Sequence, residues 1–385
     1  MTKSCRSRPD SVRVYGKVNV YDKALERIRW LYGEFPNVVC CVSGGKDSTV
    51  VFHLCLQVAR ELNRLPLTVM WIDQEGEWQA TVDTVREMMY DPDVEPMWMQ
   101  VPIRLFNATS VTDHWLDCWA PEREADWVHP RDPVASTENV YGTDRFKPLF
   151  NEIMAVHFYD EPTVRIGGMR TEESPLRNVA LAGPVAWKWA TWGMQSSHPK
   201  LDHPIMYPIY DWAYTDVWKA INENGWPYNH IYDLQYRHGI QPMAMRVSNV
   251  HHETAVHALF YMQEAEPETY QRLVNRIGGI DMAGKMGADD YFVSTLPPMF
   301  ESWREYRDYL LDNLITSPDW HACFRVFFDD FDTWAGGVLR DRDYRVMVQA
   351  ILTNDWEGIK LKTLRADGDL RRMVRQSKQK EATPA

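Results

Sequence analysis

The sequence predicts an α/β protein built on a doubly wound, mainly parallel sheet, with an insertion and a helical C-terminal region. Three observations predict it. Short apolar runs alternate with amphipathic helical stretches through the first half of the chain, and a glycine-containing loop joins the first run to the helix after it. Beyond about Val247 the strand signals mostly disappear and helical patterns dominate. Strands separated by helices form a sheet covered on both faces, which binds ligands at the carboxyl ends of its strands.

Residues 21–35 carry Ala24, Ile28 and Leu31 with charges between them, the 3.6 period of an amphipathic helix that Pro36 ends. Asn37 to Val42 is almost continuously apolar and rich in valine, which suits a central strand buried on both faces. A helical pattern follows from Thr49 to Asn63, and a second strand, Leu67 to Ile72, stops at Asp73. Residues 78–90 read as a helix, Pro96 to Val101 as the third strand, Thr163 to Ile166 as the fourth and Pro204 to Ile209 as a fifth. Phe106 to Phe146 breaks the alternation with Trp115, Trp119, Trp127, prolines and charges, and reads as an insertion of the kind that often covers a site. Helical patterns return at Trp303 to Ile315 and Tyr344 to Ile351. The predicted organisation is an arm at 1–18, a sheet domain at 19–246 with its insertion at 106–146, a helical region at 247–370 and a flexible basic tail at 371–385.

A chain of 385 residues, 45% hydrophobic and 25% charged, is ordinary globular material and too long for one core of average size. Its formal charge of −12 disfavours non-specific nucleic-acid binding, which clustered lysine and arginine provide. The late stretch with Lys360, Lys362, Arg365, Arg371, Arg372, Arg375, Lys378 and Lys380 reads as a solvated tail, or as a local contact for an anionic partner. No stretch approaches the roughly 18 apolar residues of a membrane span, and the N-terminus lacks the apolar core of a signal peptide, so a cytoplasmic location is expected. Six cysteines without a CxxC pair argue against a disulfide framework, a zinc ribbon or an iron–sulfur cluster. Cys40 and Cys41 read as buried strand residues, and His251, His252 and His257 as packing or surface residues.

The loop is the strongest chemical signal. Ser43-Gly44-Gly45-Lys46-Asp47-Ser48-Thr49 stands between a strand and a helix. Glycines let the backbone turn tightly and approach a ligand, while helix-start amides and the Lys46 ammonium favour an anion such as a polyphosphate. The spacing matches neither the Walker A loop nor the dinucleotide fingerprint. Arg170 and Arg177 lie seven apart, so on one helix they would share a face and clamp phosphate or sulfate oxygens. Asp47 and Asp73 follow neighbouring strands, where carboxylates can hold Mg²⁺; an N-cap is the other reading of Asp47.

The loop resembles the pyrophosphate loop shared by phosphoadenosine-phosphosulfate (PAPS) reductases, the small subunit of ATP sulfurylase and other adenylating ATP pyrophosphatases. Further blocks agree. Asp73 eight residues before Thr81 resembles the family's acidic position and following threonine. Gly168-Met169-Arg170 with Glu173, Ser174 and Arg177 resembles its G-x-R-x-x-x-S-x-x-R block. Pro208, Asp211-Trp212, Asp216-Val217-Trp218, Pro227-Tyr228-Asn229 and Tyr232-Asp233 resemble its last block. The likeness spans roughly residues 20–245 in order. It implies the adenine-nucleotide alpha-hydrolase-like fold, an adenine nucleotide as ligand, and ATP with Mg²⁺ as cofactors. Ser43, Gly44, Gly45, Lys46, Asp47, Ser48, Thr49, Asp73, Gly168, Arg170 and Arg177 become candidate nucleotide contacts, with Lys46, Asp47 and Arg170 as catalytic candidates.

The family's thiol-dependent reductases carry a late Glu-Cys-Gly-Leu-His segment, and this chain has none: Cys323 sits in His-Ala-Cys-Phe-Arg. The Trp-rich insertion, Tyr207 to Trp212 and Met245-Arg246-Val247 are similar to the IbrA-like branch found in phages and prophages, usually beside a ParB-like partner. The implied function is adenylyl transfer with release of pyrophosphate. The alternatives are sulfonucleotide reduction and a nucleotide-binding regulator acting with a ParB-like partner; a homo-oligomer is compatible with each.

Overall fold

The computed structural model describes residues 16–381, apart from 111–112, 174–176, 178–180, 182–184, 197–202, 243–244, 248–249, 253–255, 286–294 and 356–357. The expected arm at 1–18 and the motif residue Ser174 therefore lie largely or wholly outside the described residues.

A six-stranded sheet forms the centre, in the order β3-β2-β1-β6-β8-β7. Its strands are β1 (Asn37–Cys41), β2 (Leu67–Ile72), β3 (Val94–Met99), β6 (Thr163–Ile166), β8 (Ile205–Met206) and β7 (Gly193–Met194). All neighbours pair in parallel except β7, which runs antiparallel to β8. Helices α1 (Val20–Glu34), α2 (Lys46–Glu61) and α3 (Gln79–Met89) connect and cover the strands. The apolar run of β1 is buried on both faces as expected: Val38 and Cys40 join one core, and Val39 joins the other. The chain leaves β1 for β2 on one side and reaches β6 on the other, so the strand order reverses at β1, where open α/β sheets form their ligand crevice.

The insertion is more ordered than a loop. Residues β4 (Ile103–Phe106) and β5 (Trp115–Cys118) pair as an antiparallel hairpin, followed by a 3₁₀ segment at Pro121–Asp126 and α4 (Phe146–His157). Beyond the sheet come α5 (Tyr214–Asn224), α6 (Ile231–Arg237), α7 (Val256–Ala265), α8 (Pro267–Arg276) and α9 (Ile280–Lys285). Helices α10 (Trp303–Asn313), α11 (Pro318–Ala335), α12 (Asp341–Leu352), α13 (Ile359–Ala366) and α14 (Gly368–Glu381) enclose a third core around Phe324, Phe328, Phe331, Met347 and Ile351. This bundle meets the insertion through Trp320, stacked on His114 at 4.2 Å, and through Asn354, whose Nδ2 donates to the Asn107 carbonyl at 2.8 Å.

Two expectations are corrected. The segment read as a flexible tail is helical to Glu381, because Leu370 and Val374, four apart, put an apolar edge into the bundle between its charges. The helix expected from Thr49 starts at Lys46, because the Ser48 and Thr49 hydroxyls donate to the Gly45 carbonyl at 2.9 and 3.0 Å and close its first turn. No described helix is long and apolar enough to cross a membrane.

Candidate functional site

The loop after β1 turns through Gly44 at φ +67°, a left-handed conformation that side chains rarely adopt. Any Cβ there would lie 2.7 Å from the Thr81 methyl. Thr81 in turn accepts from Asn229 Nδ2 at 2.9 Å, and the same amide reaches the Gly44 carbonyl at 3.3 Å. Gly168, just past β6, is needed for a different reason: a Cβ would lie 2.7 Å from the Ser48 amide nitrogen and the Asp47 carbonyl carbon. The carboxyl end of β6 therefore packs directly on the loop backbone. Ser43 is tied back by its amide, which donates to Ser48 Oγ at 3.2 Å.

Gly45 is the N-cap of α2 and supplies no side-chain cap, leaving the positive end of the helix dipole at the loop. The Tyr232 hydroxyl accepts from the Lys46 amide at 3.1 Å, and Lys46 Nζ lies 5.1 Å from the Tyr232 ring centre. Lys46 itself is 6% exposed, so it is not the solvent-facing residue a loop position suggests. Burial pulls its ammonium below the usual lysine value, against the opposing charge of Asp47. Asp47 Oδ2 pairs with Lys46 Nζ at 3.2 Å and its Oδ1 with Arg170 Nε, so one carboxylate holds two cations together against their repulsion.

Arg170 and Arg177 converge, but not on a shared helix face. Arg170 precedes a 3₁₀ turn at Thr171–Glu173; its amide donates to Glu173 Oε1 at 3.0 Å, while Arg177 Nη1 pairs with Glu173 Oε2. Glu173 is the bridge. Arg170 is 3% exposed and also donates to Glu172 Oε2 at 3.0 Å. Glu172, Tyr232 and Arg246 were not among the site residues predicted from sequence. Arg246 stands between Met245 and Val247, each 3% exposed, and a charged residue flanked by buried apolar ones was the available signal.

Asp73 lies one strand away and is fully buried. Its Oδ2 accepts from Trp98 Nε1 and Gln100 Nε2, both at 2.9 Å; its Oδ1 accepts from the Glu75 amide at 2.9 Å and lies 3.4 Å from His129 Nε2. Glu75, also fully buried, is forked by Arg276 at 2.6 and 3.0 Å and accepts from the Trp119 amide at 2.7 Å. Glu75 and Trp119 take φ of +60° and +56°, so this network holds two residues in strained backbone. The insertion and α8 thus seal the end of β2 rather than lining the loop at 43–49.

Asp47 and Asp73, the carboxylates expected to hold Mg²⁺, each carry protein partners on both oxygens in this structure. Asp47 has one cation on each oxygen, whereas Asp73 has two donors on Oδ2 and one, with His129 nearby, on Oδ1. Among the described residues no group of three or more His, Cys, Asp or Glu is placed to hold a metal ion.

Two of the described thiols, Cys41 and Cys118, are poor nucleophiles. Burial drives Cys41 up to about 12 and Cys118 well above the ordinary thiol value, and Cys118 donates to the Gln74 carbonyl at 3.1 Å. Cys5 lies outside the described residues.

The family described as "Phosphoadenosine phosphosulfate reductase domain" matches residues 37–121 and 122–279, more than half of the chain. A domain of unknown function, DUF3440, matches residues 239–375. The uncharacterized protein YbdN of Escherichia coli is 27% identical over 310 residues, 77% of this chain and 76% of that one. Adenosine 5'-phosphosulfate reductase of Lysinibacillus sphaericus is 22% identical across 56% of this chain and 77% of its own length. Sulfate adenylyltransferase subunit 2 of Mycobacterium bovis is 24% identical across 52% of this chain and 59% of its own. With the loop at 43–49 after β1 and the arginine block after β6 in contact around Asp47, the chain belongs to the phosphoadenosine phosphosulfate reductase domain family.

Proposed function

We propose that this protein is a nucleotidyl-transferring enzyme that binds ATP at residues 43–49 and releases pyrophosphate. The observation that carries the reading is the meeting of Lys46, Asp47 and Arg170 at the uncapped start of α2, where the strand order reverses. In this reading the β- and γ-phosphates lie on the loop amides and Lys46, and Arg170 faces the α-phosphate. An acceptor oxygen attacks the α-phosphorus, the new O–P bond forms as the α–β bridge breaks, and pyrophosphate carries away the electron pair. Lys46 offsets the charge growing on that leaving group, and Arg170 offsets the charge on the α-phosphate oxygens. Asp47 keeps both cations in place. Mg²⁺ would arrive on the ATP phosphates, and no step here depends on a protein carboxylate holding it. The buried thiols weigh against sulfonucleotide reduction through a cysteine nucleophile.

Lys46→Ala tests the reading. Calorimetric titration with ATP·Mg²⁺ should show affinity falling by about a hundredfold, the loss of a charge-assisted contact. Because Lys46 is buried and paired with Asp47, Lys46→Met is run beside it, and melting temperatures establish that both variants fold. Normal affinity in a folded variant refutes the assignment.

A further inference from the structure

Charge is unevenly spread along this chain. From Gly358 to Lys380 it carries eight lysines and arginines against two acids, Asp367 and Asp369, whereas the whole chain has a formal charge of −12. Five of the eight lie on α14. Leu370 and Val374 anchor one edge of that helix in the third core, at 0% and 4% exposure. At about 100° per residue, Arg371, Arg375 and Lys378 fall within about 60° of one another, roughly a quarter-turn from the anchored edge.

The surrounding cations are more fully paired than these three. Arg365 of α13 pairs with Asp330 at 2.9 Å, and Arg372 with Asp369 at 3.4 Å in an exposed pair that holds it only weakly. Arg371 Nε donates to the Arg365 carbonyl at 2.8 Å, which orients the guanidinium without neutralising it. Among the described residues, no carboxylate pairs with Arg371, Arg375 or Lys378. The rest of the exposed face, including Arg372 and Gln376, is polar throughout. A protein interface needs an aromatic or apolar anchor at its centre, and a single-stranded nucleic acid needs rings to stack on; this face offers neither. Clustered cations among polar neighbours match the phosphates of a duplex. B-form DNA fits best, because its major groove, about 12 Å wide, admits a helix and brings the cations on its edge to the flanking phosphates, whereas the major groove of duplex RNA is deep and narrow.

We infer that the face formed by Arg371, Arg375 and Lys378 of α14 is a docking surface for duplex DNA, held through its phosphates. The acidic remainder of the chain repels the same polyanion and confines the contact to this face. The surface lies on a different region from the loop at 43–49, and it stands or falls independently of the adenylyl-transfer reading.

The test is fluorescence anisotropy on the full chain with a labelled DNA duplex of about 20 base pairs, at salt from about 50 to 200 mM. Three phosphate contacts give a slope of log K against log salt of about −2.7, a loss of affinity of about fortyfold over that range. Arg375→Gln should make the slope shallower by about 0.9, and replacing Arg371, Arg375 and Lys378 together by glutamine should abolish binding. All three are exposed, so melting temperatures should match the unsubstituted protein. Replacing Arg123, Lys219 and Lys285 by glutamine removes the same charge from other exposed positions and should leave DNA binding in place. ATP affinity should be the same in both triple variants. Failure of the unsubstituted protein to bind the duplex overturns the inference, as does an unchanged slope in the α14 variants or an equal loss in the control. Equal affinity for duplex RNA, single-stranded DNA or polyglutamate at the same salt overturns the assignment to duplex DNA.

Discussion

At the carboxyl ends of β1 and β2, two neighbouring strands of one sheet, acidic residues stand in opposite circumstances. Past β1, Asp47 faces two cations at a helix start that has no cap, and two further arginines sit half-exposed beside it. Past β2, Asp73 and Glu75 are wholly buried and saturated with donors from the insertion, β3 and α8. A carboxylate at a strand's carboxyl end is therefore not a ligand-binding group by position alone. What distinguishes the two is how thoroughly their surroundings are buried, and the end of β1 is the more exposed of the two.

The sharpest way to break the contrast is to unpair the sealed network. Arg276→Ala leaves Glu75 buried and without its fork, and should cost about 3–5 kcal/mol in urea unfolding. Glu75→Gln with Arg276→Met, which removes both charges, should recover much of that loss. ATP affinity of the folded fraction should stay unchanged in both. If affinity falls as far as stability, the two regions form one site and the contrast is wrong.

Arg170→Lys tests the open region by the opposite signature. It keeps a cation beside Asp47 but loses the planar fork, so pyrophosphate release should slow by about 10²–10³-fold, as on losing one preorganised donor, while ATP affinity changes far less. A lysine variant with full turnover would remove Arg170 from the catalytic group.

The extent to which these regions can be read from sequence follows the range of the interactions that build them. Local pattern sufficed for β1, β2 and β6, since a continuous apolar run or an abrupt stop at Asp73 is written within a few residues. The loop is legible for the same reason: its glycines, lysine and helix start are contiguous. Two-residue β7 carried no usable period, and the β4–β5 hairpin lay hidden in a segment whose tryptophans and prolines look irregular. The Arg276–Glu75 fork joins residues 201 apart, and no short-range spacing encodes it. The burial of Lys46 likewise depends on Tyr232, 186 residues away. Arg170 and Arg177 do meet, but Glu173 brings them together rather than a common helix.

The smallest expected effect lies inside the sealed region and concerns its third acid. Glu77 is 4% exposed, and burial, with the charge of Asp73 second, holds its carboxyl well above the usual carboxylate range. A folded-state value above the unfolded one means that folding takes up a proton. Stability then falls as pH rises above about 4.3, the unfolded value, until the raised folded value is passed, at no more than about 1.4 kcal/mol per pH unit. Glu77→Gln keeps the shape of the protonated acid and does not titrate. It should therefore match the unsubstituted protein near pH 4 and melt at a higher temperature at pH 8. His129 adds a slope of the same sign at higher pH. Burial opposes its protonation, but the Asp73 charge and hydrogen bond prevail and raise it, so what it contributes is complete below about 6.5 and lost as pH rises through the folded value. Melting curves from pH 4 to 8.5 on Glu77→Gln should thus be flat across the lower part of the range and still decline across the upper part. ATP affinity should stay unaltered throughout. Parallel curves for variant and unsubstituted protein would mean that Glu77 is ionised in the fold, and that the end of β2 is less thoroughly sealed than the end of β1 is open.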